Sequence, residues 1–302
     1  MILACGEALI DMLPRETAAG EAAFAPYPGG AVFNTAIGLG RLGVETQFLC
    51  GMSNDFLGDI LRDALSASGV DHTPSPALDA PCTVAFVKLV DGQATYAFYD
   101  TGSAMRLMET PPVVSANALF FGGISLVGEG CGAAYEALML REAATKVTMI
   151  DPNIRPSFIR DEAAYRARIE RMLAVADIIK LSDEDLHWFA GDGDLGDLAR
   201  GLVAKGATLV CITEGAKGVT GYTADTQVFV PAEKAVVVDT VGAGDTFNAG
   251  LLAGFERAGV LTKARMGALR EDEIRAALTL GVRAAAITVS RAGANPPWAH
   301  EV

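Results

Sequence analysis

The stretch Val236-Val237-Val238-Asp239-Thr240-Val241-Gly242-Ala243-Gly244-Asp245-Thr246-Phe247-Asn248-Ala249-Gly250 reads as an apolar strand, a turn of small residues, and a helix extending to about Ala258. Strand, tight turn, helix is the order in which an α/β sheet presents an anion site. Gly242, Ala243 and Gly244 let successive backbone N–H groups converge on one spot without Cβ obstruction, and the helix dipole adds partial positive charge there. A phosphate fits such a turn. Asp245 opens the helix, where a carboxylate beside a phosphate is electrostatically awkward unless it has a task. As a general base it can orient a hydroxyl and take its proton while a phosphoryl group transfers in line. Without the glycines, Asp245 would read only as an acid in a first helical turn, favoured by the dipole.

Outward from this segment, short apolar runs recur: Ile2 to Cys5, Thr46 to Cys50, Ala118 to Phe121, Lys146 to Ile150, Ile178 to Leu181, and Thr208 to Ile212. Between them, Asp55 to Ser68, Gly132 to Ala144 and Glu162 to Ala174 have helical spacing. Alternating strands and helices predict an α/β fold with a mostly parallel sheet covered on both faces. One stretch departs from the alternation. Thr83 to Leu89 and Ala94 to Tyr99 flank Asp91-Gly92 and read as a hairpin. With Ala8 to Leu13 it predicts a small projecting sheet carrying Tyr96, Phe98 and Tyr99, either a lid over a ligand or a plain surface hairpin. No linker interrupts the chain, which reads as one domain over residues 1–302 with a discontinuous lid at about 8–28 and 82–103.

The 302 residues are 51% hydrophobic and 20% charged, enough to bury a large core. A formal net charge of −13 argues against a nucleic-acid partner, which needs a basic footprint. An anionic ligand must therefore be held by local geometry. Five isolated cysteines and three histidines offer neither a disulfide framework nor a zinc site. The apolar start is too short for a signal peptide and no membrane-length apolar run occurs, so a cytoplasmic protein without membrane contact is expected.

Two segments match the dinucleotide pattern G-x-G-x-x-G but lack its context. In Gly38 to Gly43 the glycines lie within and at the end of a helix that begins near Ala31, with a strand after it. Gly191 to Gly196 follows a helix and carries Asp192 and Asp194, which would repel a pyrophosphate. No Walker-type phosphate loop is present.

Asp239 to Phe247 resembles the C-terminal signature of the ribokinase-like (PfkB) carbohydrate kinases. Gly29-Gly30-Ala31-Val32-Phe33-Asn34-Thr35-Ala36, with the later Gly43, Gly51, Asp55 and Gly58, resembles that family's other signature. The resemblance implies a ribokinase-like three-layer sandwich with a β lid, ATP and Mg²⁺ as cofactors, and catalysis by Asp245 with the amides of Gly242, Ala243 and Gly244. It implies that Asp11, Gly29, Gly30 and Asn34 line a sugar pocket. Asp151-Pro152-Asn153-Ile154-Arg155 is similar to a segment of fructokinases and 2-keto-3-deoxygluconate kinases in which the Arg reaches substrate or phosphate. Lys180, Ser182 and either Glu184 or Asp185 fall where members place nucleotide phosphates and, through water, Mg²⁺. Thr213, Gly215, Lys217 and Gly218 resemble the nucleotide loop. Asp239, Val241 and Gly293 fall where members bind K⁺; with Pro297 where some carry Ser, K⁺ activation stays open.

The expected chemistry is phosphorylation of a primary sugar hydroxyl. Fructose is favoured, because Asp151 to Pro156 and Gly6 to Asp11 look more like fructokinases than ribokinases. Asp100, at the end of the lid hairpin, suits a neutral polyol better than a sugar acid. 2-Keto-3-deoxygluconate kinase, ribokinase and a catalytically silent sugar-binding protein are the alternatives, and an apolar lid sheet invites a homodimer.

Overall fold

In the strand Ile2–Cys5, Ile2 and Ala4 enter one cluster of buried side chains while Leu3 and Cys5 enter another. The same alternation holds along Ala118–Gly122 and Leu209–Thr213. A strand apolar on both sides needs cover on both faces, so the sheet is the middle of three layers. Helices Ala31–Arg41, Phe56–Ala67, Ala243–Arg257 and Glu271–Val289 bury their apolar sides against the first cluster. Cys131–Glu142, Glu162–Leu173, Asp183–Ala190 and Leu195–Ala204 cover the second. The computed structural model describes residues 1–90 and 93–302.

The central sheet runs in the order Gln227–Pro231, Gly218–Tyr222, Leu209–Thr213, Ile178–Ser182, Val147–Asp151, Ala118–Gly122, Ile2–Cys5, Thr46–Leu49, Val70–Asp71. The first two strands are antiparallel to their neighbours and the others pair in parallel. Ile2–Cys5 pairs with Thr46–Leu49 on one side and Ala118–Gly122 on the other, so the chain leaves this point in opposite directions. Ligands of open α/β sheets bind beyond the carboxyl ends of strands at such a switch point.

A second sheet has the order Ala22–Gly29, Leu9–Glu16, Val84–Val90, Gln93–Tyr99. Its two hairpins are joined by parallel pairing of Leu9–Glu16 with Val84–Val90. The expected Asp91-Gly92 turn and the side chain of Tyr96 lie outside what the structure describes. The strand Ala22–Gly29 falls within the expected lid but is not itself read from the sequence, because Pro26 and Pro28 argue against a strand; they are accommodated because it is an edge.

The largest departure from the sequence reading is at Val236 to Val238. These residues form no strand: positions 232–242 have no regular structure, and the three valines are 82%, 63% and 61% exposed. The preceding strand Gln227–Pro231 already ends the sheet at its edge, and the segment instead follows the last long helix, with the Val238 and Asp239 N–H groups donating to Val289 O.

Candidate active site

Gly242 has φ 78° and caps the N-terminus of the helix Ala243–Arg257 without a side-chain hydrogen bond. A Cβ here would come within 2.7 Å of Ala294 Cβ, so both backbone conformation and space require glycine. The first N–H groups of a helix have no intrahelical partner and face whatever lies beyond it. Asp239 holds the turn in place: Oδ1 accepts from the Val241 N–H at 3.0 Å and Oδ2 from the Gly293 N–H at 2.9 Å. Asp239, Val241 and Gly293 are thus brought together, although the strand expected before them is absent.

Asp245 follows on the first helical turn and is 7% exposed. Its Oδ2 accepts from Asn34 Nδ2 at 2.9 Å, and its backbone oxygen accepts from Thr35 Oγ1 at 3.1 Å. Helix Ala31–Arg41 is therefore fastened to the start of helix Ala243–Arg257 by two adjacent residues. Burial pushes the Asp245 carboxyl up to about 7; the Asn34 hydrogen bond opposes this, and the Asp151 charge adds to it. A carboxylate tuned near neutrality beside an anion-binding turn can accept a proton from a hydroxyl.

Behind Asp245 lies a buried charged group that sequence reading did not assemble. Lys180 Nζ donates to Asp151 Oδ2 at 3.0 Å, and Asn248 Nδ2 donates to the same oxygen at 2.7 Å. Asn248 stands three residues after Asp245 on the same helix face. Asp151 Oδ1 accepts from the N–H of Asn153, whose φ is 46°. Burial works against the Lys180 ammonium, but Asp151 and Asp185 more than offset it and its pKa rises. A Cβ on Gly244 would lie 3.4 Å from Lys180 Nζ, which puts this charge directly behind the anion turn. Asp185 points inward, Oδ1 accepting from Ile154 N–H and Oδ2 from Ser182 N–H in a capping box. Burial and the Asp151 charge raise its pKa. Glu184 is exposed.

The second sheet faces this region. Asp11 sits opposite Tyr27 and Ala85, and Ala85 opposite Phe98, so these side chains share one face. The Asp11 carboxylate lies against Gly29, where a Cβ would approach Oδ2 to 2.4 Å; burial pushes Asp11 up to about 6. Phe98 packs on Phe158 with centroids 5.0 Å apart, closing one side of a cavity of about 550 Å³ that Arg106, Ile124 and Arg160 also line. Arg155 is exposed, with Nη1 donating to Ile154 O, and the structure does not bring it to Asp245. Asp100 does not act as a free acidic lid residue: it is buried in an ion pair with Arg106.

On the other side of the turn, a cavity of about 730 Å³ opens between Thr213, Gly215, Gly218, Val237, Gly244 and Phe247, with Ala285, Ala286 and Val289 as its floor. Of the three valines misread as a strand, Val237 thus supplies part of an apolar wall. Lys217 turns outward to Glu214 at 2.8 Å, and Ser182 Oγ caps its own helix. Among the described residues no cluster of three or more His, Cys, Asp or Glu is arranged to hold a metal, and no helix is long and apolar enough to cross a membrane.

The model of the pfkB family carbohydrate kinases matches residues 1–301. A fructokinase of Rhizobium leguminosarum bv. trifolii is 55% identical over 279 residues, 91% of this chain and 86% of that protein. A fructokinase of Klebsiella pneumoniae is 33% identical over 84% of both. Among solved structures, fructokinase with bound ATP from Xylella fastidiosa superposes with a TM-score of 0.90 at 29% identity, covering 99% of this chain and 96% of that one. Aminoimidazole riboside kinase from Salmonella enterica gives 0.82 at 26% identity, covering 97% and 94%.

Proposed function

The chain belongs to the pfkB family of carbohydrate kinases, and on that premise we propose that it transfers the γ-phosphate of ATP to the 6-hydroxyl of fructose, with Asp245 as base. The observation that carries the chemistry is Asp245 buried against Asn34 at the opening of the Gly242–Gly244 turn. The sugar identity follows from similarity to the Rhizobium fructokinase. Fructose lies over Gly29 and Gly30, with Asp11 accepting from its hydroxyls and the lid face at Phe98 above it. Arg155, exposed on its loop, turns inward on binding. The adenine enters the apolar cavity at Val237 and Val289, and the phosphates reach the turn past Thr213, Gly215 and Gly218. The turn amides and the Lys180 charge stabilise the transferring phosphoryl, while Asp245 orients the hydroxyl and takes its proton.

Asp151, Asp185 and Asp245 outnumber the single ammonium of Lys180 among them, a balance that suits a bound cation. Mg²⁺ arriving with the nucleotide neutralises phosphate charge and keeps most of its waters. Asp185 is the carboxylate that holds those waters, since Glu184 faces solvent. K⁺ would sit at the loop joined by Asp239, Val241 and Gly293. On the outer lid face, Phe86 meets Phe24 and Tyr99 edge-on and the latter two are exposed, a surface that pairs with a second copy in a homodimer. The five unpaired buried cysteines suit the reducing cytoplasm.

The test is ADP release over fructose, ribose, 2-keto-3-deoxygluconate, tagatose and adenosine at equal concentration. Fructose should give the highest kcat/KM; preference for ribose or the sugar acid would replace the substrate but keep the kinase.

A further inference from the structure

Glu7 lies at the switch point of the main sheet, just past the strand Ile2–Cys5, and is 1% exposed. A fully buried carboxylate is costly unless its oxygens are occupied. Here each has a backbone partner from a different element: Oε1 accepts from the Ala31 N–H at 2.8 Å and Oε2 from the Ser125 N–H at 3.2 Å. The first contact supplies a cap that the helix Ala31–Arg41 lacks, since Gly30 offers no side chain and no acid occupies the first turn. The second ties the same carboxylate to the turn after Ala118–Gly122, the neighbouring strand across the switch point.

Two glycines are moulded around it. Gly30 has φ 115°, and a Cβ there would meet Glu7 O at 2.8 Å and Glu7 Cγ at 3.0 Å. Gly123 has φ 68°, and its Cβ would fall 2.0 Å from Glu7 Oε1. The helix that Glu7 caps carries Asn34, whose backbone N–H bonds Gly30 O at 2.8 Å and whose side chain bonds Asp245. A continuous line of contacts therefore runs from the Ser125 turn through Glu7, Ala31 and Asn34 to Asp245.

We propose that Glu7 is a positioning residue for phosphoryl transfer: its carboxylate sets Gly30 against the sugar and aims Asn34 at Asp245. The inference rests on the reading of Asp245 as the base. Glu7 also faces Asp245 electrostatically, together with Asp151 and Lys180, and its negative charge disfavours ionisation of Asp245. The titratable groups around Glu7 are Cys50, Cys131, Tyr135 and Tyr165, all held protonated by burial.

Two variants separate geometry from charge. Glu7→Gln keeps the size but removes the charge and can accept only one of the two N–H groups. Glu7→Asp keeps the charge but falls short of Ala31. In both, kcat should drop on the order of tenfold to a hundredfold and the sugar KM should rise, because a misplacement of about 1 Å is enough for such losses, while the ATP KM stays near wild type. Only Glu7→Gln should move the acid limb of the kcat/KM profile to lower pH. Should Glu7→Gln not fold, Glu7→Asp alone must show the kcat and sugar-KM change with the limb unmoved. A lowered melting temperature with wild-type kcat, sugar KM and pH limb would overturn the positioning role. Full turnover of Asp245→Asn would instead remove the premise, whatever Glu7 does.

Discussion

Asn34 Nδ2 donates to Asp245 Oδ2 at 2.9 Å, joining residues 211 positions apart across the start of two helices. Each helix belongs to one of the two glycine-bearing segments, so this single bond couples the wall of the proposed sugar site to the proposed base. It also works on the base, holding down a pKa that burial raises to about 7.

Asn34→Ala removes that restraint. The Asp245 pKa then climbs above about 7, and because the ionised form accepts the proton, the acid limb of kcat/KM moves to higher pH. A hydrogen bond to a charged group is worth about 1.5–3 kcal/mol, so a displacement of roughly one pH unit or more is expected. A pH–rate series on both proteins measures it directly.

Asp245→Asn should stabilise the protein. The carboxyl is near its ordinary 3.8 when unfolded and about 7 when folded, so the native state holds the proton more tightly. Its contribution is full below about pH 4 and is lost as pH rises through 7, after which the native state carries a buried charge. Asparagine avoids that cost, on the order of a few kcal/mol. Thermal melts at pH 5 and pH 8 should show a larger gain in Tm for the variant at pH 8.

Lys180→Met leaves Asp151 and Asp185 facing each other without their shared ammonium. Breaking one side of a buried ion pair costs about 3–5 kcal/mol, and urea unfolding should report a loss of that order. The same change withdraws a positive charge facing Asp245, so the acid limb rises as well. A surface lysine such as Lys217 would show neither effect.

Gly242→Ala forces a side chain into a left-handed φ and against Ala294. Strain of about 1–3 kcal/mol is expected, together with a raised ATP KM as the turn amides lose their aim. Fructose KM should change little, which steady-state kinetics with each substrate varied in turn will decide.

The architecture was legible where strands are apolar on both faces: Ile2 to Cys5 and Thr208 to Ile212 carry their alternate packing in composition alone, and a run of that kind can only be central. Val236 to Val238 shows the limit of this reasoning. Three β-branched residues read as strand, yet here they are exposed on an irregular segment from which Val237 lines a cavity, and only tertiary context separates the two. Asp245 and its turn could be found because the chemistry needs small residues followed by an acid in a fixed local order. Asp151, Lys180 and Asn248 could not be joined, because contacts across 29 and 97 positions leave no local pattern. Glu7 was hidden for the same reason: its partners, Ala31 and Ser125, offer only backbone N–H groups, which any residue but proline carries.

The most direct test is formation of ADP and fructose 6-phosphate by wild type and Asp245→Asn at saturating fructose and Mg-ATP, with both proteins shown to be folded. Wild type should form the two products in equal amounts, and the variant should lose turnover on the order of a thousandfold. An Asp245→Asn protein that phosphorylates fructose at the wild-type rate would contradict the assignment of the base.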